Sequence, residues 1–120
     1  MMKKYLYALD FSLLKVKLMF EKNWDEAKCN LIEMKYKNFL YLHMKYRDTQ
    51  LLVPTTEIDE FWHGHILDTK SYREHTQFIF GHYLDHDPYG EINERGEVDE
   101  FVNAFKATRE LYSQEFGEEY

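Results

Sequence analysis

The sequence predicts an all-α fold, a small bundle of four to five helices. Apolar residues recur at i, i+3, i+4, i+7 spacing, and no run reads as an alternating strand. Pro54, Pro88, Gly90 and Gly96 punctuate the chain between the helical runs. Cap signals precede two of those runs. The chain has 120 residues, 44% of them hydrophobic, which is enough for one core without disulfides. A single helical domain over residues 1–120 is expected.

The first helix is expected from about Asp10 to Lys22, with broad apolar coverage from Leu13, Leu14, Val16, Leu18, Met19 and Phe20. The second starts at Asn23-Trp24-Asp25-Glu26, read as a capping box in which Asn23 accepts from a first-turn amide. Its stripe is Cys29, Ile32, Tyr36, Phe39, Leu40 and His43, and it ends near Arg47. The third follows Pro54. Thr55 or Thr56 is its N-cap, and Glu57 and Asp59 favour its positive end. Ile58, Phe61, Trp62, His65, Ile66, Thr69 and Tyr72 share one side at about 100° per residue. Asp68-Thr69 either bends this helix or recaps a new one, and Gly81 stops it. Residues 86–97 read as a loop. A last helix runs from about Val98 to Phe116, closed by Gly117.

Charge is uneven. Residues 1–50 carry a net +4 and residues 51–120 a net −11, for −7 overall. Such a chain lacks the dense positive face that nucleic acid requires. Lys15, Lys17, Lys28, Lys35 and Lys37 read as solvated helix faces. No apolar run approaches the roughly 18 residues of a membrane span. The opening MMKKYLYALDF is broken by Asp10 and reads as mature chain rather than a signal peptide. The lone Cys29 fits a reducing compartment, so a cytoplasmic location is expected.

Histidine carries the functional signal. Five of the six histidines fall between His63 and His86. Asp59 and His63 are one turn apart on one flank, a spacing that lets both reach one cation. His63 and His65 are about 200° apart on a regular helix, so they share an ion only if the helix is distorted, which Gly64 would ease. His82 and His86 are also i, i+4, provided helix continues past Gly81. His86 is the choice for a third ligand. Two imidazoles and a carboxylate suit Zn²⁺ or Fe²⁺ and leave coordination positions open. The predicted metal set is therefore Asp59, His63, His86 and His65. His65 is either a ligand through a distorted turn or a residue held by Asp68 beside the ligands.

A plainer reading stands beside each assignment. His65 and His43 lie on apolar faces and serve as core histidines bonded to a carbonyl, a Tyr, an Asp or each other. Asp59 supports the helix start. His75 and His82 are surface residues, and Trp62 is a core anchor. The chain has no GxSxG, HExxH, P-loop, GxGxxG or CxxC motif, and Cys29 has no activating base nearby in sequence.

The stretch VPTTEIDEFWHGHILDTKSYREHTQFIFGHYLDHDPYG resembles the signature of the glycine-rich domain-containing protein-like family, above all in its WHxHILDT core. With upstream Trp24, Tyr36, Phe39 and Leu40, the resemblance covers about residues 24–90. Matching positions are Asp59, Trp62, His63, His65, Asp68, Thr69, Tyr72, Phe80, Gly81, His86 and Tyr89. The family is largely uncharacterised. Its plant members carry glycine-rich tails, and this chain resembles a stand-alone version. His75-Thr76 stands where the pattern has Asp-Cys, and Asp85-His86 where it has two histidines. A ligand or nucleophile role for that Cys is lost here, and His75 or Asp85 would be substitutes.

Two functions remain in play. One is a small soluble domain with a divalent-metal site. If it is an enzyme, the open positions activate water or bind an anionic or carbonyl substrate. The other is a metal-free protein-interaction module. Its His/Asp/Trp set is a structural polar core, and its acidic second half, or the loop from Asp87 to Gly96, meets a partner protein. The partner, protein or small molecule, and the oligomeric state are not legible in the residues.

Overall fold

The computed structural model describes residues 2–91 and 95–120. Residues 92–94, part of both the expected loop and the candidate partner-facing stretch, lie outside the described residues. The chain forms six helices: α1 (Met2–Tyr7), α2 (Ser12–Lys22), α3 (Glu26–Tyr46), α4 (Thr56–Leu67), α5 (Thr69–Phe80) and α6 (Asp99–Phe116). The described residues contain no strand. The all-α expectation holds, with more helices than the four to five expected. One of the additions is α1, whose six residues are too few to show a period.

The long α3 lies at the centre, packed against α1, α2, α4 and α6. Its Tyr36, Phe39, Leu40 and Leu42 meet Ile58, Phe61 and Trp62 of α4 in the core, and Tyr72 and Tyr112 enclose that core from α5 and α6. Asp25, not Asn23, caps α3, and its carboxylate accepts from the Lys28 amide at 2.7 Å. Asn23 instead ends α2 in the left-handed region, φ 58°, which Asn tolerates better than most residues. Two further expectations fail here. Lys37 is 6% exposed, and its Nζ donates to the Tyr7 and Leu9 carbonyls at 3.0 and 2.8 Å, holding the end of α1. Much of the apolar coverage on α2 faces outward, with Leu13 87% and Phe20 90% exposed. The inward-turned Leu14 packs so closely on Gly64 of α4 that a Cβ there would overlap it.

The segment before α4 is pinned from α6 and the C-terminal residue that follows it. The Val53 amide donates to Thr108 Oγ1 at 3.0 Å, and the Val53 carbonyl accepts from Tyr120 Oη at 2.6 Å. Thr55 then caps α4, its Oγ1 accepting from the Ile58 amide at 3.2 Å, so the first turn presents Asp59 at a fixed place. The chain bends at Asp68 (ψ 73°) and a new helix starts at Thr69, one of the two expected outcomes, although the Asp68 side chain makes no cap bond. Gly81 ends α5 at φ 77°, with its amide bonded to the Gln77 carbonyl. Helix therefore does not continue to His86. No helix among the described residues is long and apolar enough to cross a membrane.

Candidate metal centre

Asp59 and His63 project from one flank of α4, and His86 reaches them on the extended segment after α5. His86 Nε2 lies 2.6 Å from Asp59 Oδ1, His63 Nε2 lies 3.2 Å from Asp59 Oδ2, and the two Nε2 atoms are 3.1 Å apart. Cations held by N and O ligands at about 2.0–2.2 Å set neighbouring ligand atoms about 3.0–3.5 Å apart. Two of the three separations fall in that interval, with His63 and His86 facing different oxygens of Asp59, Oδ2 and Oδ1. The third is a hydrogen bond that would open by several tenths of an ångström.

The cluster is satisfied in two ways. An imidazole nitrogen either donates a hydrogen or offers a lone pair. If both Nε2 atoms carry hydrogens, each donates to its own carboxylate oxygen, His86 to Oδ1 and His63 to Oδ2. If one does not, its lone pair faces a carboxylate oxygen. A divalent cation takes both lone pairs and the carboxylate together, so Asp59, His63 and His86 could hold a metal ion.

The position of His86 is enforced. Its ring stacks on the Trp62 indole, centroids 4.0 Å apart and planes 3° from parallel. Trp62 Nε1 donates to Tyr72 Oη at 2.9 Å, and that hydroxyl donates to the Leu84 carbonyl at 2.5 Å. Leu84 is buried, two residues before His86. The indole, phenol and carbonyl thus fix both the ring face and the backbone that delivers it. Trp62 and Tyr72 were read in the sequence as core residues. They are core, and they also position a candidate ligand. Their place in the matched motif was the available signal.

His65 is not brought to the cluster. α4 is helical throughout, so the distortion that would turn His65 toward Asp59 is absent. His65 is 3% exposed, its Nδ1 is 2.7 Å from Tyr36 Oη and its Nε2 is 2.9 Å from His75 Nδ1. The buried Tyr36 hydroxyl has no other acceptor among the described residues, so its hydrogen is assigned to His65 Nδ1. His65 Nε2–H then donates to His75. Burial pushes the His65 imidazole down to about 3 and keeps it neutral. Asp68 does not hold it. His75, expected at the surface, is half-buried, and burial lowers it also. His82 is exposed as expected and bonds the Tyr83 carbonyl at 2.8 Å. Thr76, in place of the family's Cys, is buried and donates to the Tyr72 carbonyl at 2.8 Å. Asp85 is exposed and stands outside the three-residue cluster.

The three residues open onto a cleft of about 590 Å³ with apolar walls from Val53, Pro54, Ile66 and Phe101. His43 also lines it. Neither ring nitrogen of His43 reaches solvent or a hydrogen-bond partner, and burial pushes this imidazole down to about 3. Phe39 and Trp62 meet its ring edge-on, at 4.7 and 5.7 Å. The partners expected for His43, including His65, are absent.

An all-helical domain built around the WHxHILDT helix, with a paired-histidine carboxylate cluster at its surface, defines the class of protein. The chain belongs to the UCP032817-like family, whose model matches residues 3–110, and so to the glycine-rich domain-containing protein-like family. It is 33% identical over 89 residues to glycine-rich domain-containing protein 1 of Arabidopsis thaliana, and 32% identical over 89 residues to glycine-rich domain-containing protein 2 of the same plant. Each match covers 72% of this chain but 11% of the relative. No solved structure matches.

Proposed function

We propose that this domain holds one divalent ion, Zn²⁺ or Fe²⁺, on Asp59 Oδ, His63 Nε2 and His86 Nε2. The open coordination positions would face the cleft and bind or activate a small molecule there. The observation that carries this is the convergence of two Nε2 atoms on one carboxylate, 3.1 Å from each other. Two imidazoles with a carboxylate on one side of an ion form a set that both metals accept.

The rival, a structural polar core, fits poorly at this place. The His63 side chain is 55% exposed and that of Asp59 29%, so solvent can satisfy both without a network. The structural role fits Tyr36, His65 and His75 instead, where the buried groups satisfy each other. Two histidines two residues apart on one helix thus serve different ends.

Untagged protein, dialysed against Zn²⁺ and then against metal-free buffer, tests the proposal by elemental analysis. One equivalent of metal is expected in the wild type, with loss in Asp59→Asn, His63→Ala and His86→Ala. Retention in all three variants, or substoichiometric metal in the folded wild type, contradicts it.

A further inference from the structure

The cleft beside the triad has a one-sided charge. Besides Asp59, its lining includes Asp85, Asp87 and Glu91, and no Lys or Arg among the described residues. These three carboxylates are exposed, and none makes an ion pair among the described residues. Asp87 uses one oxygen to accept from the Tyr89 amide at 2.9 Å, which fixes the carboxylate on the segment just after His86. Arg47 opens onto a neighbouring depression that it shares with His43, Gln50 and Asp85, and its guanidinium faces Asp48 at 3.7 Å. The remaining titratable group in the cleft wall outside the triad, His43, is held neutral by burial and adds no positive charge.

We infer that the cleft selects a ligand whose metal-bound end carries a nitrogen or oxygen donor and whose body is uncharged or cationic and partly apolar. This rests on the metal site proposed above. Phosphorylated and polycarboxylate ligands are disfavoured, because the body beyond the metal lies among unpaired carboxylates with no basic group to receive it. The divalent ion attracts an anionic donor at the coordination position itself. The rim carboxylates act on the rest of the molecule. The apolar walls take up hydrocarbon, in the proportions common to small-molecule sites. The cleft volume of about 590 Å³ suits a molecule of that kind.

The test uses the full chain loaded with Co²⁺, whose visible absorption reports a new ligand. Three pyridines serve as probes: 4-methylpyridine, 4-(aminomethyl)pyridine and isonicotinate. Each offers its ring nitrogen, the para substituent cannot reach the same ion at the same time, and the Co²⁺ spectrum separates nitrogen from carboxylate ligation. Their intrinsic donor strengths differ, so wild type is compared with the triple variant Asp85→Asn, Asp87→Asn, Glu91→Gln. The preference for the cationic probe over the anionic one is expected to be about tenfold greater in wild type than in the variant, and to shrink at high salt. An equal ratio in the two proteins overturns the inference and leaves the metal site standing. So does Co²⁺ uptake with no response to any probe. Failure to take up Co²⁺ at all removes the metal reading, and this one with it.

Discussion

Replacing Tyr36 by Phe isolates the structural half of the histidine set. Tyr36 is 0% exposed, and its hydroxyl has one partner, His65 Nδ1 at 2.7 Å. The substitution keeps the ring, which packs on Phe11 and Phe61 at 5.8 and 5.1 Å. It removes one hydrogen bond and leaves a buried acceptor on His65 with no donor. Such a loss costs about 1–3 kcal/mol. For a chain of this size that lowers the melting temperature by about 4 °C per kcal/mol. Urea unfolding followed by far-UV circular dichroism measures it. His65→Leu in the same background removes the orphaned acceptor, and His75, half-buried, can turn to water. The double variant is therefore less destabilised than the sum of the singles, with a coupling of about 1 kcal/mol. Metal binding in Tyr36→Phe stays at the wild-type stoichiometry. Additive losses, or loss of metal without loss of stability, would refute the division of labour between His65 and His63.

Trp62→Phe keeps an aromatic face beside His86 but deletes the indole N–H that reaches Tyr72, and lowers Zn²⁺ affinity by about tenfold in isothermal titration calorimetry. His43 and His65 are both pushed by burial to about 3, below their unfolded-state values, so the unfolded chain binds more protons as the solution is acidified. Stability is then full above about pH 6.5 and falls toward pH 3, with a limiting slope of about 1.4 kcal/mol per pH unit for each histidine. His43→Phe flattens that slope between pH 6 and 4.5, and raises stability by relieving two unpartnered ring nitrogens, as urea titrations at each pH will read. Lys37→Met leaves the Tyr7 and Leu9 carbonyls without their donor, costs about 1–3 kcal/mol, and deprotects residues 2–9 in hydrogen exchange ahead of the core.

The helices legible in the sequence were those with a repeating apolar stripe and a definite stop. α3, α4 and α6 fall close to their expected bounds, because Asp25 or Thr55 begins a helix or a left-handed glycine ends one. α1 is too short to repeat. Lys37 misled because a lysine on a helix reads as solvated, whereas the stem here is buried and the ammonium caps a neighbouring helix end. Leu13 and Phe20 misled in the opposite sense, since apolar residues all around a helix do not say which of them is covered. In the candidate site, Asp59 and His63 follow from helical spacing. His86 came from ligand chemistry, beside an i, i+4 spacing with His82 that needed helix rather than a loop past Gly81. The loop is what occurs, held by Tyr72 and Leu84, and no local pattern announces a hydroxyl-to-carbonyl bond across that distance. His65 was included through a distorted turn that Gly64 could ease, or as a residue held by Asp68; α4 is regular there, so its ring turns away from Asp59.

The most direct test is the coordination shell itself. X-ray absorption fine structure on the Zn²⁺-loaded protein reads ligand number and distance at the ion. Two imidazole nitrogens and at least one oxygen at about 2.0–2.2 Å, with the imidazole signal halved in His86→Ala, is the expected result. An oxygen-only shell, or a spectrum unchanged in His63→Ala and His86→Ala, would contradict a centre at these residues.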